Sequence, residues 1–242
     1  MRRVAAKLMH SLAAAVGNKV GNEAEELCAS GQCAAAAVAL KLAVDLGHLP
    51  SRALKAWMLL DGREGVAKDR NGAFELVEEG ARLGCHHCQG VIAWCCWLGI
   101  GCELDAARSL ELARESSGKG SRYGQYALGR LYRHGGGGVA QDDAQVVAFY
   151  RLAAAHNFDG AQCDLGYMYD LGLGVAQDHA EALRLYQLAA AQGHPAALFN
   201  VAVCHEFGQG VRKNKAAAIR WYRRAQAAGH PNAAAALQRL RA

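Results

Sequence analysis

The C-terminal part of the chain returns to itself every 36 residues, and few sequence features restrict a fold more. Gly174-Val175 is echoed by Gly210-Val211, Leu185-Tyr186 by Trp221-Tyr222, Ala189-Ala190 by Ala225-Gln226, and Gly193-His194-Pro195 by Gly229-His230-Pro231, all at that one 36-residue offset. A period in the twenties to forties marks a solenoid. Each unit is then one supersecondary hairpin that buries its apolar face only by stacking on its neighbours.

The clearest unit runs from Ala161 to about Ala196. Ala161, Leu165, Gly166 and Tyr169 fall on one face of a first helix. Gly172 and Gly174 break it, and Val175 is expected as a buried plug in the turn. Asp178 stands where an N-cap would satisfy the free amides of a second helix. That helix is expected to bury Ala182, Leu185, Tyr186, Ala189 and Ala190 and to end at Gly193. The following unit repeats this through Ala197, Val201, Ala202, Gly208, Gly210, Val211, Asn214, Trp221 and Tyr222. The preceding one repeats it through Leu128, Gly129, Tyr132, Gly138, Val139, Asp142 and Tyr150, with one extra residue in its Gly135–Gly138 turn. Two weaker units come earlier, from Cys88 to Gly118 and from Ala53 through Gly62, Gly65, Val66 and Asp69 to Gly84. Ala34–Gly47 reads as a second helix whose first helix is supplied by Asn22–Ser30. After Pro231, a short helix with Ala234, Leu237 and Leu240 covers the end. The expected organisation is therefore an N-terminal helical cap over residues 1–52, an array over 53–233 and a C-terminal capping helix over 234–242.

Composition agrees with packed helices. Hydrophobic residues make up 52% of the chain, many of them Ala, and the three prolines (Pro50, Pro195, Pro231) stand at unit boundaries. Charge is uneven. Arg212, Lys213, Lys215, Arg220, Arg223, Arg224, Arg239 and Arg241 follow Phe207 with no Asp or Glu among them; against a total of +5, these eight leave −3 for the residues before. A solvated face that keeps a terminal repeat soluble accounts for that run. Attraction of an acidic partner or nucleic acid is the alternative. Nine cysteines at irregular positions do not form a secreted disulfide framework and fit a reducing, cytoplasmic compartment. The acid-free, basic stretch Met1–Gly21 has the composition of a weak organellar transit peptide. The plainer reading is an amphipathic leading helix with Val4, Leu8 and Leu12 in one stripe. No stretch is long and apolar enough for a membrane span.

Chemistry is sparse. Cys85-His86-His87-Cys88, with Cys95, Cys96 and Cys102 nearby, has ligand types suited to zinc. However, Cys88, Cys96 and Cys102 align with Ala161, Tyr169 and Val175, where Cys serves as a small apolar residue. Only Cys85, His86 and His87 are left for an exposed inter-repeat turn, so no metal and no cofactor are expected. Gly135–Gly138 follows a helix and lacks the Lys-Ser/Thr ending of a phosphate loop. His194 and His230 recur with the period, which points to a structural turn role. No metalloprotease, serine-hydrolase or dinucleotide motif is present, so no enzyme is expected.

The pattern Ala-x-x-x-Leu-Gly-x-x-Tyr-x-x-Gly-x-Gly-Val-x-x-Asp-x-x-x-Ala-x-x-x-Tyr-x-x-Ala-Ala-x-x-Gly, carried by Ala161 through Gly193, resembles the Sel-one-like repeat (SLR), a relative of the tetratricopeptide repeat. The resemblance covers about Ala53 to Ala233 and is sharpest from Gly124 onward. It implies an all-α, right-handed α/α superhelical solenoid of about five hairpins, acting as a scaffold or adaptor in protein quality control, signalling, envelope or trafficking assemblies. A secreted cysteine-rich branch ties each hairpin with a disulfide, and some of its members bind or cleave β-lactams. The present chain departs from that branch, because the Gly124–Gly160 unit has no Cys and Cys163 and Cys204 are each alone in theirs.

In superhelical hairpin arrays the first helices line the concave face, so their variable outward positions are where a partner would be read. Alignment gives one column of Trp94, Arg130, Tyr167 and Val203, a second of Trp97, Arg133, Asp170 and Glu206, and a third set with Asp164 and Asn200. Trp, Tyr and Arg are enriched among binding anchors; ordinary packing between hairpins is the competing account of the tryptophans. The expected molecule is a monomeric, non-catalytic scaffold for a protein partner. Two rivals remain: a hydrolase of the cysteine-rich type, and nucleic-acid binding through Trp221-Tyr222-Arg223-Arg224, where the two aromatics hold core positions and make poor stacking platforms.

Overall fold

The computed structural model describes residues 2–62 and 66–241. Gly65, assigned above to a turn, and the side chains of Val4 and Leu8 lie outside the described residues. Every described element is a helix: α1 (Arg2–Ala29), α2 (Cys33–Asp45), α3 (Leu49–Asp61), α4 (Arg70–Arg82), α5 (His86–Leu98), α6 (Ala106–Gly118), α7 (Arg122–His134), α8 (Asp143–Ala155), α9 (Asp159–Leu171), α10 (His179–Ala191), α11 (Pro195–Phe207), α12 (Lys215–Ala227) and α13 (Ala233–Arg241). It is an all-α repeat fold. Each helix from α2 to α12 is 13 residues long, the signature of one hairpin used repeatedly. Among the described residues no helix is long and apolar enough to cross a membrane.

Both ends of each hairpin turn are fixed by local chemistry. First helices α3, α5, α9 and α11 stop on glycines in the left-handed conformation: Gly62, Gly99, Gly172 and Gly208. Second helices start on a side-chain cap: Asp69, Asp105, Asp142, Asp178 and Asn214 each accept a backbone N–H two or three residues ahead. The cap residue's own amide reaches back to the first helix. Asp105 N–H donates to Cys96 O, Asp178 N–H to Tyr169 O and Asn214 N–H to His205 O at 2.8–2.9 Å. Asp142 N–H donates to Tyr132 O, which spans one residue more. The extra residue of that turn is Gly138: Gly137, at φ 68°, takes the conformation of Gly174 at 64°, and a Cβ on Gly138 would meet nothing within 4 Å. After α8, Asn157 at φ 54° holds the left-handed position that Gly193 fills after α10.

The chain forms two compact units, 1–127 and 128–242, with α7 straddling the division. In the first, α1, α2 and α3 share a core of Ala24, Cys28, Cys33, Ala36, Leu40, Leu54 and Met58. The expected leading helix and the Asn22–Ser30 segment are one continuous 28-residue helix from Arg2 to Ala29. Gly17 and Gly21 let it lie close, since side chains there would press on Leu46 and collide with His48. Leu12 of the expected stripe is exposed, as are Met9 and Val16.

In the second unit, Ala182, Leu183, Tyr186, Ala189 and Ala190 of α10 pack with Ala197, Leu198, Val201 and Cys204 of α11. Tyr150, Tyr186 and Tyr222 take the same slot in α8, α10 and α12 and are fully buried. Each stabilises its hairpin by about 1.5–3 kcal/mol. Room for the rings comes from the first helices: a side chain on Gly129 would overlap Tyr150, and one on Gly166 would crowd Tyr186. Two expectations are corrected. Val139, Val175 and Val211 are half-buried rather than sealed, because the turns lie at the edge of the stack. The buried stripe of α13 is Ala233, Ala236 and Leu237 with Leu240 beside it, whereas Ala234 faces outward.

Candidate functional site

The expected contact positions fall at three-residue steps on first helices, so within each helix they share a face. In the second unit these are Arg130 and Arg133 on α7, Asp164, Tyr167 and Asp170 on α9, and Asn200, Val203 and Glu206 on α11. Arg130 Nη1 reaches Asp164 Oδ2 at 3.3 Å, both side chains being about three-quarters buried. The Arg133 guanidinium lies over the Tyr167 ring, 4.9 Å from its centroid. Tyr167 is 37% exposed, the most open large apolar surface of this face after Leu171 and Phe207. Asp170 Oδ1 pairs with His179 Nδ1 at 2.7 Å, and Gln177 Nε2 donates to the Asp170 carbonyl at 2.7 Å. Asn200 Nδ2 donates to Cys163 Sγ at 3.9 Å. Neighbouring charges leave their mark: burial first, then Arg130 and Arg133, lowers the His134 pKa. Burial, reinforced by Asp164, raises that of Tyr150.

Glu206 shares the helical register of this face but is buried rather than open to a partner. It is 8% exposed, accepts a hydrogen bond from Tyr222 Oη at 2.6 Å and holds Arg239 Nη2 at 2.7 and 2.8 Å. A carboxylate in that slot ties α13 onto the α11/α12 hairpin. Val203 likewise packs against the Ala202, Tyr222 and Leu237 cluster.

In the first unit Trp94 stands 5.6 Å from Trp57 and 5.3 Å from Tyr126, centroid to centroid. Packing within this aromatic cluster accounts for its placement. Trp97, one turn later, is half-buried.

The cysteine-rich segment is mostly interior. Cys85 is buried at the N-cap of α5 rather than exposed in a turn, and Cys88, Cys95 and Cys96 are buried behind it. Burial pushes the thiols of Cys95 and Cys96 up to about 12, which keeps them protonated. Cys102 Sγ donates to Cys96 Sγ at 3.6 Å, and His87 Nδ1 lies 3.3 Å from Ser121 Oγ. No three His, Cys, Asp or Glu side chains converge as a metal would need among the described residues. None of the nine cysteines is in a disulfide. His194 Nδ1 accepts the Ala197 amide at 3.3 Å as the cap of α11, and His230 stacks on Phe199 at 4.2 Å.

Two features had weak sequence signals. His179, holding Asp170, sits one residue after a cap and carries no periodic mark. Asn157, Gln162 and Gln192 form a largely buried network, with Gln192 Nε2 donating to Asn157 Oδ1 at 3.1 Å and to Gln162 Oε1 at 2.9 Å. Asn157 in a Gly slot was its one visible trace.

With hairpins and faces placed, comparison with known families is decisive. The Sel1 repeat matches residues 52–85, 88–121, 122–158, 160–194 and 195–230, one match for each hairpin from α3/α4 to α11/α12. The chain belongs to the Sel1 repeat family. Its fold is similar to a protective antigen of uropathogenic Escherichia coli displaying an SLR fold, at 26% identity and TM-score 0.58, over 84% of this chain and 43% of that one. The chain thus spans less than half of the E. coli protein. A Sel1 repeat protein from Oxalobacter formigenes is similar at 24% identity and TM-score 0.59, over 88% of this chain and 86% of that one. An immunity protein from Pseudomonas aeruginosa shares the fold at 18% identity and TM-score 0.54, over 87% and 81%. No curated protein matches the chain in sequence. Sel1 repeat proteins commonly serve as scaffolds for protein interaction.

Proposed function

We propose that this Sel1 repeat chain is a non-catalytic scaffold that holds a protein partner against the first-helix face of its second unit, with Arg133, Tyr167, Asp170 and Asn200 as contacts. The array over 53–233 would carry the contacts, with 1–52 and 234–242 as caps. The observation behind this reading is Tyr167, an exposed ring held in place by the guanidinium of Arg133. Tyr and Arg combine large contact area with polar tips. Pre-pairing of Arg130 with Asp164 and of Asp170 with His179 fixes the surrounding side chains, so little rotamer entropy is lost on binding.

The double substitution Arg133→Ala with Tyr167→Ala tests the reading. Partner captured by cross-linking from the native source should bind the variant at least about tenfold more weakly, the scale of one lost anchor. Equal affinity in a variant with unchanged circular dichroism would remove this face as the docking site.

A further inference from the structure

We propose that the outer face of α12, together with the turn before it, is a second docking surface, made for an acidic protein segment. The last two hairpins differ sharply in charge. Arg212, Lys213, Lys215, Arg220, Arg223 and Arg224 stand where the preceding repeat has Ala176, Gln177, His179, Arg184, Gln187 and Leu188. One permanent cation has become six, and all six are exposed.

The preceding repeat neutralises its single arginine. Glu181 takes Arg184 in a two-pronged pair, Oε2 to Nε and Oε1 to Nη2, both at 2.7 Å. In the last hairpin the Glu181 position is Ala217, so Arg220 has no corresponding carboxylate. No Asp or Glu follows Glu206, and Glu206 itself is buried against Tyr222 and Arg239. The positive field of this face is therefore left for a partner to neutralise.

Shape adds to charge. Arg220, Arg223 and Arg224 lie on one side of α12 with the exposed Ala216 and Ala227 above and below them. Small flanking residues allow another backbone to come close. Arg220 to Arg224 spans about 6 Å along the axis, the spacing of carboxylates at i and i+4 on a partner helix. Nucleic acid fits less well. Tyr222 is fully buried, and the Arg224 guanidinium covers the Trp221 ring at 4.5 Å, so no aromatic face is offered to a base. This surface is on a second helix and does not depend on the first-helix face proposed above.

The test uses the full chain and fluorescence anisotropy. The probe is a fluorescein-labelled, Ala-based helical peptide with Glu at i, i+3, i+4 and i+7. A matching Lys peptide and a single-stranded oligonucleotide of similar length are the comparators. The Glu peptide should bind with an affinity that falls steeply with salt, and the Lys peptide should not bind. Arg220→Glu with Arg223→Glu should weaken the Glu peptide at least about tenfold, and Arg220→Lys with Arg223→Lys should retain most of the binding. Arg133→Ala with Tyr167→Ala should leave it unchanged, which separates this surface from the other. Arg220→Ala with Arg223→Ala supplies a loss without charge reversal if the Glu variant misfolds. Undiminished binding to either loss variant would overturn the proposal, and so would tighter binding of the oligonucleotide than of the peptide.

Discussion

Asp178 accepts hydrogen bonds from the amides of Ala180 and Glu181, and Asp69, Asp105, Asp142 and Asn214 do comparable work at the other second helices. Asp178→Ala should cost about 1 kcal/mol, read as a shift in the urea midpoint without a change in slope. Glu206→Ala should cost more, about 1–3 kcal/mol, because it strands the buried Tyr222 hydroxyl as well as releasing Arg239. Faster amide exchange confined to α13 would show that the loss is local. Histidines set a pH dependence. Burial lowers the pKa of His48, His134, His205 and His230 from 6.5, with Arg130 and Arg133 adding to the effect at His134, Arg220 at His205 and the nearby His194 ring at His230. As pH falls below that value the unfolded chain takes up protons first, so the folded state should lose stability between about pH 7 and about pH 5. His230→Gln should flatten that slope, measured by denaturant unfolding at several pH values. The caps were legible in the sequence because a cap is a local motif. The role of Glu206 was not, because its partners lie 16 and 33 residues away and meet it only once the helices pack.

At the level of the hairpin, the Gly-x-Gly turn does two separate jobs. Gly172 and Gly208 supply the left-handed stop of the first helix. Gly174 and Gly210, also at positive φ, let the turn sit against the preceding repeat: a Cβ on either would collide with a backbone carbonyl, that of Asp143 or of His179. Backbone cannot give way as a flexible side chain can. Gly174→Ala and Gly210→Ala should therefore each cost roughly 1–3 kcal/mol, whereas Gly138→Ala, with empty space around it, should cost only its positive-φ strain. Thermal unfolding of the three variants side by side checks this ranking. The spacing of these glycines was plain in the sequence, but their contacts were not, since each touches a residue about 31 positions earlier through a geometry that only stacking creates.

Across the whole molecule, stability is a sum over neighbouring hairpins rather than the property of one core. Trp57, Trp94 and Trp97 lie in residues 1–127 and Trp221 in 128–242, so a Trp221→Phe variant reports the first unit by fluorescence. Its urea transition should depart from the far-UV circular dichroism transition of the same sample, as expected where nearest-neighbour coupling replaces all-or-none unfolding. Coincident curves would show stronger coupling than the repeat logic implies. The sequence alone determined the helical class, the hairpin boundaries, the caps and the family, because each is written in short-range periodicity. The tertiary structure decided which side chains remain outside. It drew Glu206 and Cys85 inward, set Trp94 into an aromatic cluster, and left Tyr167 and the α12 arginines at the surface. Exposure depends on what the adjacent hairpin covers, and a residue's place within its own repeat carries no record of that.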